Sequence, residues 1–314
     1  MVWRRRKTIW TYASALALWG AFIWPAYTQP SRVFVFSSHG ARPYQEVLAG
    51  FQGYLDKQGV GVTYETFVLD GDSEKAAQSI ALAKKNEPAL IYSLGFMATR
   101  FIRDGMQDRP ILASLVVDLD EFGSGVNTTG VVLSFPPKVQ LEWLKRLLPK
   151  HTRVGVLYSS EKNQRMVEMA AREADRLGLA LFSQKIESPK ELPGALRRLS
   201  KKVDVIWALA DKVILAPQTA KAILLSSFRN RIPVIGPSTP WVKAGALYAL
   251  DWDYAEIGRQ SGELAEKMLK GVPAHQLSPE SPRTVLYSLN LRTARHMRLD
   301  LSDALVQGAK QVFK

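Results

Sequence analysis

The stretch RVGVLYSSEKNQRMVEMAAREADRLG, residues 153–178, shows most clearly which kind of fold this chain adopts. Its first six residues, 153–158, are rich in valine, leucine and tyrosine and predict a buried strand, which a polar segment at 159–163 follows. From 164 to 177 apolar residues recur at helical spacing, and Gly178 ends the predicted helix as its C-cap. A buried strand followed directly by an amphipathic helix is the repeating unit of a parallel sheet with crossover helices.

Units of the same kind occur on both sides of this stretch. We predict further strands at 32–36, 62–68, 89–93, 110–116, 179–186, 203–208, 233–235, 246–250 and 285–288. We predict further helices at about 44–58, 73–85, 137–148, 191–200, 217–228 and 254–269, with another opened by Gly95. The alternation starts again at the helix 137–148, which indicates two similar halves.

The predicted fold class is therefore α/β, with two doubly wound Rossmann-like lobes that have a hinge and a cleft between them. We expect lobe one to comprise residues 31–133 plus about 240–286, and lobe two residues 134–239 plus about 287–314. Ligands of open α/β sheets bind outside the carboxyl ends of the strands. Two sets of strand ends facing one cleft favour hinged closure around a small ligand.

Composition excludes several kinds of chemistry. The 314 residues include no cysteine, which rules out thiol catalysis, disulfides, cysteine zinc sites and a lipid-modified cysteine. The four histidines, at 39, 151, 275 and 296, lack metal-site spacing, so we expect no metal and no cofactor. Lysine and arginine exceed aspartate and glutamate by 42 to 29, but the basic residues are scattered along the chain. We therefore expect no nucleic-acid partner.

The N-terminus, residues 1–30, is predicted to be an export signal or a membrane anchor. Arg4, Arg5, Arg6 and Lys7 precede 24 consecutive uncharged residues, from 8 to 31. A positive segment followed by an apolar one is typical of a signal peptide, and residues 8–27 are also long enough for an uncleaved hydrophobic helix. Both alternatives place the rest of the chain in the periplasm or on the extracellular face of the cytoplasmic membrane.

Several segments together resemble one family, the solute-binding proteins of ABC importers with the type I periplasmic-binding fold. Within it, the chain is most similar to the subgroup that includes binding proteins for tryptophan and other aromatic amino acids. The segments that carry the resemblance are Val126–Val131 with its Asn-Thr-Thr-Gly, 153–158, 204–211, Ile232–Gly236, Val242–Ala246, Asp253–Gly258 and Ser288–Ala294. Their order and spacing cover the chain from about residue 32 to the C-terminus.

Two departures from the family pattern border the expected cleft. Asp118-Leu119 stands where family members usually have Asp-Pro, and Gly95-Phe96 stands where they have Gly-Thr. The ligand can therefore differ from an aromatic amino acid.

The candidates for ligand binding in lobe one are Ser37, Ser38, His39, Gly95, Phe96 and Asp118. The first three follow strand one, where hydroxyls and helix N-terminal amides could hold a carboxylate. Glycine permits close backbone approach, the phenylalanine could stack on a ring, and the aspartate could pair with an ammonium. Loop capping, core packing and a solvated carboxylate are the ordinary structural alternatives.

The candidates in lobe two are Ser159, Ser160, Asn163, Asp211, Ser238 and Asp251. Asp211 is the strongest of them because it follows a strongly apolar strand, where an ionised carboxylate must be paired or hydrogen-bonded. A ligand amine would be such a partner, and Lys212 is the structural alternative.

Catalysis is not expected. The chain has no Gly-x-Ser-x-Gly motif for a nucleophile, no phosphate loop and no complete dinucleotide fingerprint at 59–62. The family resemblance instead implies a protein that binds a small organic ligand and delivers it to an ABC permease in the cytoplasmic membrane. We expect it to be monomeric. The alternative from a different class is a membrane-anchored module that senses a ligand and signals to a kinase or another membrane partner.

Overall fold

The computed structural model describes residues 30–106, 108–117, 127–159 and 161–314, with the side chains of Glu161 and Lys162 excepted. The predicted N-terminal helix, Asp118 and Ser160 lie outside the described residues. Within the described part of the chain, no helix combines the length and apolarity needed to cross a bilayer.

The described elements are helices and strands in near-regular alternation. The strands are β1 Ser31–Ser37, β2 Val62–Val68, β3 Leu90–Leu94, β4 Ile111–Val116, β5 Thr128–Val132, β6 Arg153–Tyr158, β7 Ala180–Lys185, β8 Val205–Ala208, β9 Val234–Ile235, β10 Tyr248–Trp252, β11 Val285–Asn290 and β12 Gln311–Phe313. The helices are α1 Arg42–Lys57, α2 Ser73–Asn86, α3 Phe96–Gly105, α4 Pro137–Leu147, α5 Glu161–Arg176, α6 Leu192–Leu199, α7 Pro217–Asn230, α8 Thr239–Ala244, α9 Tyr254–Leu269, α10 Leu291–Met297 and α11 Asp303–Gln307.

Two separate sheets form the centres of two lobes. The first has five strands in the order β2-β1-β3-β4-β5, and every pairing in it is parallel. The second has seven strands in the order β12-β11-β10-β9-β8-β6-β7, and its one antiparallel pairing joins β10 to β11. The apolar cores of each lobe include strand residues of its sheet, such as Val33 and Phe34 in the first. The α/β class with parallel sheets is confirmed.

The expected boundary between the lobes near residue 240 is wrong, because α8 and β10 belong with the second sheet. Tyr248 pairs in parallel with Ile235, and the Gly236 amide donates to the Tyr248 carbonyl at 2.8 Å. The two-residue strand β9 and the turn after it resemble a lobe end, but β10 extends the same sheet. The chain returns to the first sheet at Asp253, the N-cap of α9, and leaves it again before β11. Lobe one therefore comprises 30–132 and 253–283, and lobe two 134–252 and 284–314.

Helix α9 is bound to the first lobe by an unusually close packing against α1. A Cβ atom on Gly50 would lie 2.1 Å from the Ala255 carbonyl oxygen, and one on Gly258 would lie 2.0 Å from that of Val47. Both distances are far below any real Cβ contact, so only glycine allows the two backbones to approach this closely. This contact explains why a segment about 200 residues later in sequence completes lobe one.

The three connections between the lobes all run between the carboxyl ends of the parallel strands. The first leaves the end of β5, the second leaves the end of β10, and the third enters β11, which runs opposite to its neighbour β10. Phe135 of the first connection stacks on Trp252 at the second, with ring centroids 6.0 Å apart. The carboxyl ends of both sheets therefore lie at one junction, the location where α/β proteins bind ligands.

The opposite, amino end of the second sheet contains a partly buried histidine that makes stability depend on pH. His151 precedes β6, and its Nδ1 is buried with no hydrogen-bond partner among the described residues. Burial lowers the pKa of His151, and the nearby Asp204 carboxylate opposes this only in part. The folded protein therefore resists protonating it, so the free energy of unfolding is highest above the unfolded-chain pKa of about 6.5 and falls as pH decreases below it.

We expect the loss of stability between neutral pH and about pH 5 to be smaller in His151→Gln than in the parent protein. Urea unfolding at the two pH values measures the difference. His275→Gln, at an exposed histidine in the other lobe, is the matched control and should keep the parent's pH dependence. An identical pH dependence in all three proteins would show that His151 does not contribute.

Candidate ligand-binding site

Three of the predicted residues in lobe two form one hydrogen-bonded cluster at the adjacent strands β6 and β8. Ser159 donates to Asp211 twice, through its amide to Oδ2 at 2.8 Å and through its hydroxyl to Oδ1 at 2.6 Å. Asn163 Nδ2 donates to Oδ2 at 2.7 Å. The amides of Val213 and Ile214 donate to Oδ1 at 2.9 and 3.4 Å. Asp211 thus fixes the loop after β6 against the loop after β8.

The Asp211 carboxylate is charged, buried and fully hydrogen-bonded within the protein. It is 1% exposed. Desolvation would raise the pKa of Asp211, but the hydrogen bonds from Ser159, Asn163 and the backbone of Ser159 and Val213 outweigh burial and lower it. A carboxylate offers about four lone-pair positions, and five protein donors already occupy them. A ligand amine would have to displace one of these donors, and Lys212 forms no ion pair with Asp211 in the described part of the chain.

The other two predicted residues of lobe two lie beside the next strands, β9 and β10. Asp251 accepts from its neighbour's amide, Trp252 N, at 2.8 Å and forms an ion pair with Lys310 Nζ at 3.0 Å. Lys310 also donates to the Trp252 carbonyl at 3.3 Å, so the C-terminal segment holds the second connection between the lobes. Ser238 is the N-cap of α8, makes no side-chain capping bond and is half-buried.

In lobe one, Ser38 and Gly95 come together at the start of α3. Ser38 Oγ accepts from the Ala98 amide at 2.9 Å, which satisfies one of the free donors of the helix N-terminus. Gly95 has φ +88° and ψ 164°, a conformation that residues with a side chain rarely adopt. Ser37 lies beside them, but its hydroxyl donates to the His39 carbonyl at 2.7 Å. Both serines are buried, so they shape the loop around α3.

Apolar side chains are exposed at the same end of lobe one. Phe96, the first residue of α3, is 44% exposed, and Val117, just beyond β4, is 60% exposed. They follow neighbouring strands of the sheet, so both lie at its carboxyl end. Exposed apolar groups at a connection between lobes are typical of a ligand-binding surface.

His39 and two tyrosines complete this side of the junction. His39 Nδ1 lies 3.7 Å from the Asp70 carboxylate, and its ring packs edge-on against Tyr44, with ring centroids 5.8 Å apart. A Cβ atom on Gly95 would lie 2.9 Å from the Tyr44 hydroxyl oxygen, which places this tyrosine over the start of α3. Lys310 Nζ lies 5.6 Å from the ring centre of Tyr254.

Sequence reasoning missed Tyr44, Val117, Tyr254 and Lys310. Tyr44 and Tyr254 lie in the first turns of helices that follow a carboxyl strand end or a lobe connection, so their position in the strand–helix unit was a usable signal. No sequence signal could have identified Lys310, because it reaches Asp251 only through the pairing of β12 with β11. No group of three or more histidine, aspartate or glutamate side chains that could hold a metal occurs among the described residues.

A match to a known protein family agrees with a ligand-binding site at this junction. The family described as ABC transporter substrate binding protein matches residues 32–313, nearly the whole chain. The chain belongs to this family. Its members bind solutes, and the family is typically extracytoplasmic.

A curated relative is the tyrosine-binding protein of Clostridioides difficile (strain R20291), which is 26% identical over 231 residues. The alignment covers 70% of this chain and 65% of that protein, so this substrate-binding family member spans about two thirds of its relative's length. An uncharacterised protein of Rickettsia prowazekii (strain Madrid E) is 25% identical over 46% of this chain and 48% of its own.

Two solved structures show the same fold. A substrate-binding protein with adhesive properties from Clostridium difficile, in its ligand-free, open form, has a TM-score of 0.73 at 19% identity, with 90% of this chain and 99% of that one covered. A Streptococcus pneumonia domain in complex with L-Trp has a TM-score of 0.58 at 21% identity, with 91% and 100% covered. About nine tenths of this chain covers nearly all of each solved chain, so a chain about as long as residues 30–314 is sufficient for this fold. Residues 30–314 also contain every apolar core described above. The type I periplasmic-binding arrangement expected from the sequence is confirmed.

Proposed function

We propose that this protein is the solute-binding component of an ABC importer and that it closes on an aromatic amino acid. The observation that carries the proposal is the pair of exposed apolar side chains, Phe96 and Val117, at the junction where the carboxyl ends of both sheets meet. A relative that binds tyrosine and a solved relative that holds L-Trp support the ligand class.

In this proposal each part of an amino acid has a counterpart among the candidate residues of lobe one. The N-terminus of α3, formed by Gly95 and Phe96, favours a carboxylate because helix amides and the macrodipole attract negative charge. The Phe96 ring offers an apolar face for an aromatic side chain, since rings stack favourably in offset or edge-on geometry. Asp118, which follows β4, is the candidate partner for the ammonium group.

Lobe two supplies the opposing polar wall in this proposal. The loop after β6 carries Ser159, Ser160 and Asn163, and Asp211 holds it in place through the hydrogen bonds described above. Closure would bring this loop towards α3 around the bound ligand. Asp211 then acts as a positioning residue that shapes the site without touching the ligand. Ser238 and Asp251 are assigned to the edge of the cleft near the hinge.

The proposed cellular place follows from the same assignment. The N-terminal segment exports or anchors the chain through residues 8–27, and the folded lobes work as a monomer outside the cytoplasmic membrane. The partner that receives the ligand is an ABC permease in that membrane.

A thermal-shift screen of residues 30–314 against the twenty amino acids tests the proposal. A ligand that binds only the folded state stabilises it by about 2.7 kcal/mol at a concentration one hundred times its dissociation constant. We expect tyrosine, tryptophan or phenylalanine to raise the melting temperature, and Phe96→Ala to remove most of the shift. Leu82→Ala, at another exposed apolar residue of lobe one, is the matched control and should keep it. A panel in which no amino acid stabilises the protein would contradict the proposal.

A further inference from the structure

The net positive charge of the folded protein belongs to one lobe. Lobe two, residues 134–252 and 284–314, contains 25 lysines and arginines against 12 aspartates and glutamates, a net charge of +13. The described residues of lobe one, within 30–132 and 253–283, contain 13 against 14, a net charge of −1. Basic residues that are scattered in sequence are therefore strongly separated in space.

Within lobe two, many of these residues meet at the amino end of the sheet, away from the ligand junction. We call this group the basic pole. Its members are Lys150, Lys201, Lys202, Arg229, Arg231, Lys243, Arg295 and Arg298. All are exposed, and none takes part in an ion pair among the described residues.

The topology explains how separate segments form one surface. Six of the eight residues lie in or just before the loops that lead into β6, β8, β9 and β10, and these parallel strands begin at the same edge. The other two follow β11, whose antiparallel direction brings its end to that edge. His296, between them, lies with Nε2 3.0 Å from the Phe228 carbonyl oxygen at the end of α7. From β6 to β11 the arc spans four strand spacings, about 19 Å.

Few acids offset this surface. Asp204 and Asp300 are the acidic residues in these loops. The Arg153 guanidinium and the amides of Thr152 and Arg153 bind Asp204, so Asp300 is the exposed acid that faces eight basic residues. The Lys314 carbonyl at the C-terminus accepts from Arg292 at 2.6 Å. The amino end of lobe one differs, because Arg109 pairs there with Glu87 and Lys270 with Glu266.

Helix dipoles do not account for the difference in charge between the amino ends of the two lobes. Cations favour helix C-termini, and helices of both lobes end at the amino edges of their sheets, yet only lobe two carries the excess. Single-stranded nucleic acids stack on a series of exposed aromatic rings, whereas the aromatic contact found among the described residues of the basic pole is the half-buried Phe228 packed on His296, with ring centroids 4.9 Å apart. A broad arc of exposed lysine and arginine instead matches the anionic surface of a bilayer, which attracts such charges without a specific register.

We propose that the basic pole binds anionic phospholipid headgroups and turns lobe two towards the membrane surface. The described residues of lobe one are close to neutral, so that lobe does not compete with the basic pole for the same surface. Each lysine or arginine close to an anionic membrane strengthens binding about fivefold. The proposal does not depend on which ligand the cleft binds.

Vesicle sedimentation tests the proposal with residues 30–314. The vesicles contain phosphatidylcholine alone or with about 30% phosphatidylglycerol, at low salt and at about 300 mM salt, where charge interactions are screened within a few ångströms. The test variant is Lys201→Glu/Lys202→Glu/Arg229→Glu in the basic pole. The matched control is Lys75→Glu/Lys84→Glu/Lys85→Glu on exposed positions of α2, which changes the net charge equally.

We expect binding to the anionic vesicles only, lost at high salt, weakened at least thirtyfold in the basic-pole variant and less than threefold in the α2 variant. A circular dichroism melt confirms that both variants are folded. Equal weakening in the two variants would show a net-charge effect and overturn the proposal, as would sedimentation with neither kind of vesicle. Tighter binding to a single-stranded DNA oligonucleotide than to the anionic vesicles at the same salt would assign the pole to nucleic acid instead.

Discussion

Asp211→Asn is expected to lower the free energy of unfolding by about 3 kcal/mol, because it leaves buried donors without an acceptor. The asparagine side chain keeps one oxygen and replaces the other with an amino group. In either orientation that group faces at least two of the five protein donors, from Ser159 and Asn163 on one side or from Ser159, Val213 and Ile214 on the other. Urea unfolding at pH 7 measures the loss.

The pH of the measurement follows from the direction of the pKa shift. Hydrogen bonds hold the pKa of Asp211 below its unfolded value despite the opposing effect of burial. The stabilisation is therefore complete above the unfolded value of about 3.9 and is lost as pH falls through the folded value. A measurement at neutral pH therefore detects the whole stabilisation that the ionised Asp211 carboxylate provides.

Ser159→Ala is the companion variant, since it removes one donor and keeps the carboxylate. We expect it to cost about 1 kcal/mol. One other combination of results would support the ligand contact that the sequence predicted for Asp211. If Asp211→Asn were as stable as the parent but bound its ligand at least tenfold more weakly, the carboxylate would be a ligand contact.

Sequence patterns predicted the architecture well because it depends on local signals. Strand β6 and helix α9 have the bounds expected, and α5 begins at Glu161 instead of 164. The boundary between the lobes depends on a non-local fact, the pairing of β10 with the two-residue strand β9, and no local pattern encodes it. Strand β5, the short helices α8, α10 and α11, and strand β12 were not predicted. The three helices have seven residues or fewer, which is too short to show a helical period.

For the candidate site, the sequence predicted positions at strand ends more than it predicted contacts. The rule that ligands bind at carboxyl strand ends placed Ser38, Gly95, Ser159 and Asp211 at the right edges of their sheets. A rule about strand ends does not say whether a polar group points at a ligand or at the neighbouring loop. The structure shows that Ser38 and Asp211 both hydrogen-bond to backbone amides. Clustering of the basic residues was missed for a similar reason, since it depends on strand order.

Gly95→Ala is expected to weaken ligand binding at least tenfold. Its φ of +88° with ψ of 164° is a conformation that costs a residue with a side chain about 1–3 kcal/mol. A Cβ atom there would also lie 2.7 Å from Ser38 Oγ and 2.9 Å from the Tyr44 hydroxyl oxygen. The start of α3 must therefore move, and with it the amides and the Phe96 ring proposed to hold the ligand. Calorimetric titration with the amino acid identified by the thermal-shift screen measures the change.

Gly178→Ala separates backbone strain from crowding at the site. Gly178 also has positive φ, +68°, but a Cβ atom there would meet no atom within 4 Å, and it lies before β7 at the far end of lobe two. We expect this variant to lose about 1 kcal/mol of stability, the cost of left-handed backbone, and to keep the parent's affinity. If Gly95→Ala also kept that affinity while losing stability, the N-terminus of α3 would be a structural feature of lobe one, and the ligand carboxylate would have to bind elsewhere in the cleft.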